Sequence, residues 1–188
     1  MRKAAILSAL ILSALTAVPA SAALKTGAEA PDFSAPAAIG GKDFVFSLAE
    51  ALKKGPVVLY FYPKSFTRGC TIEAHEFAEN YDNFSAAGAS LIGVSADTIE
   101  TQRDFSTKEC RDKFPVAADA NFSVINAYDA KRDRPTQNGD TVSDRISYVV
   151  TPDGKIGLTY VSSDPIKHVS ETLEFVRQWQ QSHKAGKI

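Results

Sequence analysis

The amino-acid sequence predicts an α/β sandwich, in which helices cover both faces of a mixed, mostly parallel β-sheet. Two apolar runs, "PVVLYFYP" (Pro56–Pro63) and "ASLIGVSAD" (Ala89–Asp97), have the continuous β-branched and aromatic character of strands that are buried on both faces. A helical pattern follows each run, and a hairpin and a helix close the chain. Strands that alternate with helices in this way are typical of a layered α/β fold.

The segments before and after the first buried strand each have their own pattern. Residues 23–42 are rich in alanine, glycine and proline, which predicts an irregular lead-in. Asp43–Leu48 alternates like a short strand, and it is followed by a short helix that Gly55 closes. After the first buried strand, a helix is expected from Thr71 to a stop at Gly88.

The second half of the chain continues this alternation and then changes it. "TIETQRDFSTKEC" predicts a second helix, "FPVAAD" (Phe114–Asp119) a strand and "NFSVINAYD" a short helix. Residues 130–144 are expected to form a polar loop. "RISYVVTPDGKIGLTYV" predicts a hairpin, because a Pro-Asp-Gly turn separates two apolar runs. The closing segment is an amphipathic helix with Pro165 at its start.

Length and composition fit one globular domain without affinity for nucleic acid. The chain has 188 residues, of which 44% are hydrophobic and 23% charged, and its formal net charge is −1. This balance is typical of a soluble protein, and there is no basic excess to indicate nucleic-acid binding. We expect a single domain over residues 23–188, as a monomer or a weak dimer, with no metal site and no cofactor.

Residues 1–22 have the features of a cleaved secretory signal. A positively charged start precedes the apolar stretch Ala4–Val18, and Ala20 and Ala22 stand at the −3 and −1 positions of a cleavage signal. The apolar stretch is short for a membrane span, although an uncleaved membrane anchor is the alternative. The sequence therefore predicts export, to a bacterial periplasm, and no membrane attachment after cleavage. Exported thiols meet an oxidising compartment, where they can pair or serve as reactive centres.

Cys70 stands where the first buried strand gives way to a helix. The unpaired N–H groups and the positive dipole end of a helix N-terminus favour the thiolate, which is the nucleophilic form of cysteine. The placement therefore predicts a reactive thiol. Arg68 can lie over the sulfur or point to solvent. Arg145 begins the hairpin strand, so it either faces Cys70 or forms a surface ion pair, for which the candidate partners are Asp144 and Asp153.

The residues around this cysteine resemble those of a known family. Pro63, Thr67 and Cys70 fit PxxxTxxC, the active-site motif of the peroxiredoxins. The run "FYPKSFTRGCTIEA" is similar to the Q-type branch, the bacterioferritin comigratory proteins of the alkyl hydroperoxide reductase/thiol-specific antioxidant family. "GAEAPDFSAP", "LIGVSAD" and "RISYVVTPDGKI" resemble further segments of that family, so the resemblance covers nearly all of the chain beyond the signal.

The resemblance implies a thioredoxin-like fold and a thiol-dependent peroxidase that reduces hydrogen peroxide and organic hydroperoxides in antioxidant defence. Cys70 is then the peroxidatic cysteine, which becomes a sulfenic acid. Thr67 offers its hydroxyl to the peroxide, Pro63 shields the thiolate from water, and Arg145 binds the peroxide and stabilises the leaving oxygen. Glu73 either orients an arginine or is an acid favoured by the helix dipole. The implied partners are a hydroperoxide substrate and a thioredoxin-like or small-thiol reductant.

Cys110 is the one candidate for a resolving thiol. Many Q-type members carry that thiol five residues after the peroxidatic cysteine, where this chain has His75, which we expect on the helix surface. If the second helix begins near Thr98, Cys110 lies about 18 Å along it, whereas a disulfide needs Cα atoms within about 7 Å. Direct pairing with Cys70 therefore requires local unwinding. The alternatives are a one-cysteine cycle with an external thiol, a bond to another subunit, and a structural thiol.

Three other functions suit the fold but not the residues. A thiol–disulfide oxidoreductase needs CxxC, but Thr67 and Glu73 stand three positions before and after Cys70. A copper-delivery protein needs CxxxC, and the corresponding position holds Ala74. A non-enzymatic binding module leaves the PxxxTxxC residues, including Pro63, without a reason.

Overall fold

The structure is a computed structural model and describes residues 23–185. Its strands are β1 (Ser34–Ile39), β2 (Lys42–Ser47), β3 (Val57–Phe61), β4 (Ser90–Ser95), β5 (Val116–Ala118), β6 (Ile146–Val150) and β7 (Ile156–Val161). Its helices are α1 (Leu48–Leu52), α2 (Arg68–Glu79), α3 (Tyr81–Ala86), α4 (Ile99–Lys108), α5 (Ser123–Ala127) and α6 (Pro165–Ala185). These elements follow the order expected from the sequence, with one strand added at the start.

The strands form one mixed sheet in the order β2-β1-β5-β4-β3-β6-β7. β3, β4 and β5 are parallel, while the β1–β2 and β6–β7 hairpins add antiparallel strands on either side. The predicted mixed α/β sheet is confirmed, but two of the six pairings described are parallel, so it is not mostly parallel. An apolar run predicts that a strand is buried on both faces, and all five residues of β3 are indeed buried. The run does not predict whether the neighbouring strand is parallel or antiparallel.

The N-terminal lead-in contains β1, so the prediction that residues 23–42 are irregular was wrong for this part. β1 turns into β2 at Gly40 and Gly41, whose φ angles of 54° and 71° suit a two-residue hairpin turn. Its sequence, "SAPAAI", lacks the β-branched residues that mark a strand. Ala37 and Ala38 are nevertheless fully buried, because α4 packs against one face of β1 and the core cluster that includes Ala37 covers the other.

Helices cover both faces of the sheet, as predicted. α2, α3, α4 and α6 pack on one face around a core that includes Tyr60, Phe77 and Phe105, whereas α1 and α5 pack on the other. The helix expected from Thr71 begins earlier, at Arg68, and divides into α2 and α3 at Asn80. The first face therefore carries the helix that begins near Cys70.

The predicted signal segment, residues 1–22, lies outside the described residues. Among the helices of residues 23–185, none is long and apolar enough to cross a membrane.

Candidate active site

Cys70 lies in the first turn of α2, with its side chain buried at 1% exposure. The helix begins after Thr67, which adopts an extended backbone conformation (φ −81°, ψ 149°). The first intrahelical hydrogen bond of this turn runs from the Thr71 N–H to the Thr67 carbonyl. The thiol therefore sits among the first N–H groups of a twelve-residue helix, where the helix dipole favours a negative charge.

Arg145 supplies the positive charge of the site. Its Nη2 lies 3.5 Å from the Sγ of Cys70, and its side chain is 11% exposed. The pairing of β6 with β3 accounts for this position, because Ile146 lies opposite Phe61 at the end of β3, close to where the chain leads into the Cys70 loop. Gly69 leaves room for the guanidinium: a Cβ at this position would come within 3.0 Å of Nη2.

The alternative of a surface ion pair for Arg145 is not what the structure shows. Asp144 instead accepts a hydrogen bond from Arg132, and Asp153 accepts one from Thr151. Arg68 is exposed to solvent, so the second possible neighbour of the thiol points outward.

Glu73, one turn after Cys70, binds the other side of the guanidinium. Its Oε2 accepts a hydrogen bond from Nη1 of Arg145, and the carboxyl is fully buried. Burial raises the pKa of Glu73 to about 8, although the charge and hydrogen bond of Arg145 oppose this shift. Burial alone lowers the pKa of Arg145, but the charges of Glu73 and Cys70 outweigh it and raise that pKa. Cys70, Arg145 and Glu73 thus form one connected cluster.

Pro63 and Thr67 lie on the loop between β3 and α2. Pro63 is half-buried, and Thr67 is exposed with its hydroxyl donating to the Lys64 carbonyl at 2.9 Å. Between them, Phe66 adopts a left-handed backbone conformation (φ 61°) and packs edge-on against Phe105 of α4. The loop therefore leaves the Thr67 side chain exposed to solvent.

The sequence did not reveal what fixes this loop. The Ser65 N–H donates to Asp97 Oδ2 at 2.7 Å, and the Tyr62 hydroxyl donates to Oε1 of the buried Gln102 at 2.8 Å. Asp97 follows β4 and Gln102 lies on α4, so the loop is attached to both. The position of Asp97 at the end of a predicted strand was the only available signal for it.

Cys110 lies just beyond the end of α4 and is fully buried. Burial, together with the charges of Glu109 and Asp112, raises the pKa of Cys110 well above its usual value. Both cysteines are free thiols and belong to the same apolar cluster. The structure thus gives Cys110 a packed position next to the core that also holds Cys70.

Three polar side-chain contacts hold the segment around Cys110 against α2 and α3. They join His75 to Glu109 at 2.7 Å, Arg111 to Glu79 at 3.2 Å and Lys113 to Asp82 at 3.9 Å. His75 is partly exposed, at 36%, in keeping with the expected surface position. The segment also contains two left-handed non-glycine residues, at φ 51° and 59°, which lie directly after Cys110.

His168 was not expected in this part of the molecule. It lies on α6, is fully buried, and places Nδ1 at 4.0 Å from Oε1 of Glu73. Its two ring nitrogens lie 2.8 Å from the Ser147 hydroxyl and 2.9 Å from the Ser162 carbonyl. The sequence showed only that this histidine had no metal-ligand spacing.

A reactive-thiol protein on a thioredoxin-like sheet is the class that this fold and site define, and the comparisons place the chain within it. The family model of the AhpC/TSA family matches residues 26–159. The chain belongs to this family. The proteins to which it is similar include peroxiredoxins of the Q type, which confirms the resemblance seen in the sequence.

Two solved structures and one curated relative illustrate the similarity. Peroxidoxin BcpB of Mycobacterium tuberculosis has 30% identity and a TM-score of 0.73, over 82% of this chain and 97% of its own. Peroxiredoxin Q of Xanthomonas campestris has 25% identity and a TM-score of 0.68, over 77% and 90%. Chloroplastic peroxiredoxin Q of Sedum lineare is 33% identical over 126 residues, which are 66% of this chain and 65% of the relative. The chain thus spans slightly less than two thirds of that plant protein.

Proposed function

We propose that the protein is a thiol-dependent peroxidase that reduces hydrogen peroxide and organic hydroperoxides with Cys70 as the peroxidatic cysteine. The observation that carries the proposal is the buried Cys70 thiol at the start of α2, with Nη2 of Arg145 3.5 Å from its sulfur. A helix N-terminus and a guanidinium both stabilise a thiolate. Membership of the AhpC/TSA family supports the same reaction.

In the reaction, the Cys70 thiolate attacks the terminal peroxide oxygen. An S–O bond forms and the O–O bond breaks, so that the sulfur becomes a sulfenic acid and the remaining oxygen leaves as water or an alcohol once it gains a proton. Arg145 stabilises the negative charge that develops on the leaving oxygen. Thr67 presents its hydroxyl to the peroxide, and Pro63 limits the access of water to the sulfur. Glu73 keeps the guanidinium of Arg145 aimed at the site.

Cys110 is proposed as the resolving thiol. Its attack on the sulfenic acid forms a Cys70–Cys110 disulfide and releases water, and a thioredoxin-like or small-thiol reductant then restores both thiols. Because Cys110 is fully buried beyond the end of α4, this step requires the surrounding segment to open. A one-cysteine cycle with an external thiol, or a bond to another subunit, is the route if the segment stays closed.

The N-terminal sequence supports a proposal for the cellular setting. We propose that residues 1–22 are a signal that is removed on export, and that residues 23–188 act as one domain in a bacterial periplasm. The exported domain is proposed to be a monomer or a weak dimer, with antioxidant defence as its role.

The test is peroxide consumption by the purified full-length domain with a dithiol reductant. Cys70→Ser should abolish turnover, whereas Cys110→Ser should still reduce one equivalent of peroxide. Mass spectrometry of the treated protein then identifies Cys70 as a sulfenic acid or a disulfide. Retained turnover in Cys70→Ser would falsify the proposal.

A further inference from the structure

Behind the thiol, three polar side chains are closed off from solvent between α2, β6 and α6. Glu73, Ser147 and His168 each have 0% exposure. Arg145 connects them to Cys70, because it donates to Glu73 Oε2 through Nη1 and lies 3.5 Å from the sulfur through Nη2. Arg145 therefore couples the charge of the Cys70 thiol to these buried side chains. In the proposed reaction their one role so far is that Glu73 orients Arg145.

One oxygen of this group lacks a partner. Among the described residues, Oε1 of Glu73 is buried without a hydrogen bond, and Nδ1 of His168 lies 4.0 Å from it. Nε2 of His168 lies 2.9 Å from the Ser162 carbonyl, so Nε2 carries the donated proton and Nδ1 accepts from the Ser147 hydroxyl at 2.8 Å. His168 therefore offers Oε1 no donor. A carboxylate oxygen that is buried without a donor is unfavourable, and a proton on Glu73 reduces that cost.

Arg145 carries one positive charge, but it contacts two acidic groups in a site of low exposure. With both groups ionised, the cluster would hold a net negative charge away from water, which is costly. Burial raises the pKa of Glu73 to about 8, in keeping with a carboxyl that readily holds a proton. One proton shared between Glu73 and Cys70 therefore balances the cluster.

The remaining titratable groups around Glu73 do not supply another cation. From α6, His168 is uncharged at neutral pH, because burial lowers its pKa to about 4 despite the nearby Asp164. From β3, Tyr60 is uncharged, because burial raises its pKa well above its usual value. Arg145 is thus the cation for which Cys70 and Glu73 compete.

We propose that Cys70 and Glu73 form a one-proton pair across Arg145, in which Glu73 holds the proton while Cys70 is a thiolate. Glu73 is the proton store of the site, and it acts through Arg145 and not by contact with the peroxide.

The catalytic consequence rests on the proposed peroxidase function. Thiolate, hydroperoxide and the Glu73 carboxylic acid become sulfenic acid, alcohol and the Glu73 carboxylate. The sulfur is oxidised as the S–O bond forms and the peroxide is reduced as the O–O bond breaks. The leaving oxygen gains a proton from water, and Glu73 gives up its own proton to water once the charge of the thiolate is lost. The net charge is unchanged, so Arg145 exchanges one anionic partner for the other.

Infrared difference spectroscopy tests the proton on Glu73 without peroxide. Alkylation of Cys70 by iodoacetamide removes the thiolate charge, so the carbonyl band of a protonated carboxyl should disappear at neutral pH. The band should also disappear in Glu76→Gln, a partly exposed glutamate of the same helix, and should be missing from the start in Glu73→Gln. A spectrum of the wild type without this band overturns the proposal.

One equivalent of peroxide in place of iodoacetamide separates this proposal from the proposed function. Loss of the band with formation of sulfenic acid supports both. If sulfenic acid forms and the band is retained, Glu73 is not the proton store, but the peroxidase function stands. If the thiol does not react with peroxide, the peroxidase function is overturned, and the alkylation result still decides whether Glu73 holds the proton.

The rate of alkylation tests the competition for Arg145. Glu73→Gln leaves Cys70 without a competitor for the guanidinium, so iodoacetamide should alkylate Cys70 faster at neutral pH than in the wild type, whereas Glu76→Gln should leave the rate unchanged. An unchanged or slower rate in Glu73→Gln overturns the competition. If Glu73→Gln fails to fold, the infrared difference of the wild type on alkylation decides alone, because it needs no variant.

Discussion

Cys70 and Arg145 lie 75 positions apart in the chain, yet Nη2 of Arg145 is 3.5 Å from the sulfur of Cys70. The contact exists because β6 runs antiparallel beside β3, and the loop that follows β3 leads into the helix of Cys70. The charge environment of the thiol thus depends on the register of two paired strands. A shift of one residue in that register would turn Arg145 to the opposite face of the sheet.

Replacement of Arg145 by alanine should slow the reaction with peroxide by about 100-fold, because a donor to the developing oxyanion is lost. The same change removes the cationic partner of the thiolate, so iodoacetamide alkylation at neutral pH should also slow. Stopped-flow peroxide kinetics and the pH profile of alkylation measure these two effects. Arg132→Ala is the matched control, since Arg132 pairs with the neighbouring Asp144 at the surface and should change neither. An unchanged alkylation profile in Arg145→Ala would show that the guanidinium does not support the thiolate.

Gly69→Ala should separate helix stability from reactivity. Alanine is favoured over glycine in a helix by about 1 kcal/mol, so the free energy of unfolding should not fall. The new Cβ would lie 3.0 Å from Arg145 Nη2, so the guanidinium has to shift by a few tenths of an ångström from its position beside the sulfur. We therefore expect slower peroxide reduction in a protein that is at least as stable as the wild type. In the Arg145→Ala background the same substitution should have no further effect, and a full additional loss there would rule out this explanation.

The sequence predicted the site to the extent that local pattern determines it. The apolar run before Cys70, the helix after it and the hairpin that begins at Arg145 are each visible in a short window, and the structure contains all three. The sequence alone did not decide whether Arg145 faces Cys70 or forms a surface ion pair, because its contact with Cys70 depends on strand order. His168 shows most clearly what the sequence cannot predict. Its place in the apolar pattern of α6 is that of an ordinary core residue, and only the packing of α6 against α2 brings it close to Glu73.

The failure to predict β1 from the sequence has a related cause. A strand made of alanine, serine and proline has weak intrinsic preference for a sheet, and it forms because both of its neighbours, β2 and β5, pair with it. Gly40 and Gly41 carried the local signal for the hairpin, but a pair of glycines in an Ala-Gly-Pro-rich segment also suits an irregular loop.

Glu73 should make the stability of the protein depend on pH. Its pKa is about 8 in the folded protein against an ordinary 4.5, so between these values the folded state binds a proton that the unfolded chain releases. This contribution is fully present below 4.5 and is lost as the pH rises towards 8. His168 acts in the opposite direction, because its folded pKa of about 4 lies below its ordinary 6.5, but its effect is complete above pH 6.5.

Between pH 6.5 and 8, the contribution of Glu73 to the stability therefore still changes with pH, whereas that of His168 is constant. Over this interval the free energy of unfolding of the wild type should fall relative to Glu73→Gln by roughly 1–2 kcal/mol. Urea denaturation at a series of pH values measures the difference. Parallel stability curves for the two proteins would mean that Glu73 is already ionised in the folded state.

Oxidation of Cys70 should open the segment that contains Cys110. Cys110 is fully buried beyond the end of α4, and three polar side-chain contacts join its neighbours to α2 and α3, so the disulfide can form only after these contacts are released. Most residues of α4 are polar, and among its large apolar side chains Phe105 is the one that is fully buried, which keeps the cost of local unfolding low. Fast capture matters, because further peroxide converts an uncaptured sulfenic acid to the sulfinic acid.

Hydrogen exchange of the reduced and peroxide-oxidised protein measures this opening. Residues 98–112 should lose protection on oxidation, while the β3–β4 core should not. Glu79→Gln removes the partner of Arg111 at an exposed position and should speed disulfide formation a few-fold, whereas Glu50→Gln, an exposed glutamate on the opposite face, should leave the rate unchanged. Equal protection in both states, together with a free Cys110 after one equivalent of peroxide, would mean that Cys110 is a packed core thiol. The sulfenic acid would then have to be resolved by an external thiol or another subunit, and the rate of recovery would depend on the concentration of that second thiol.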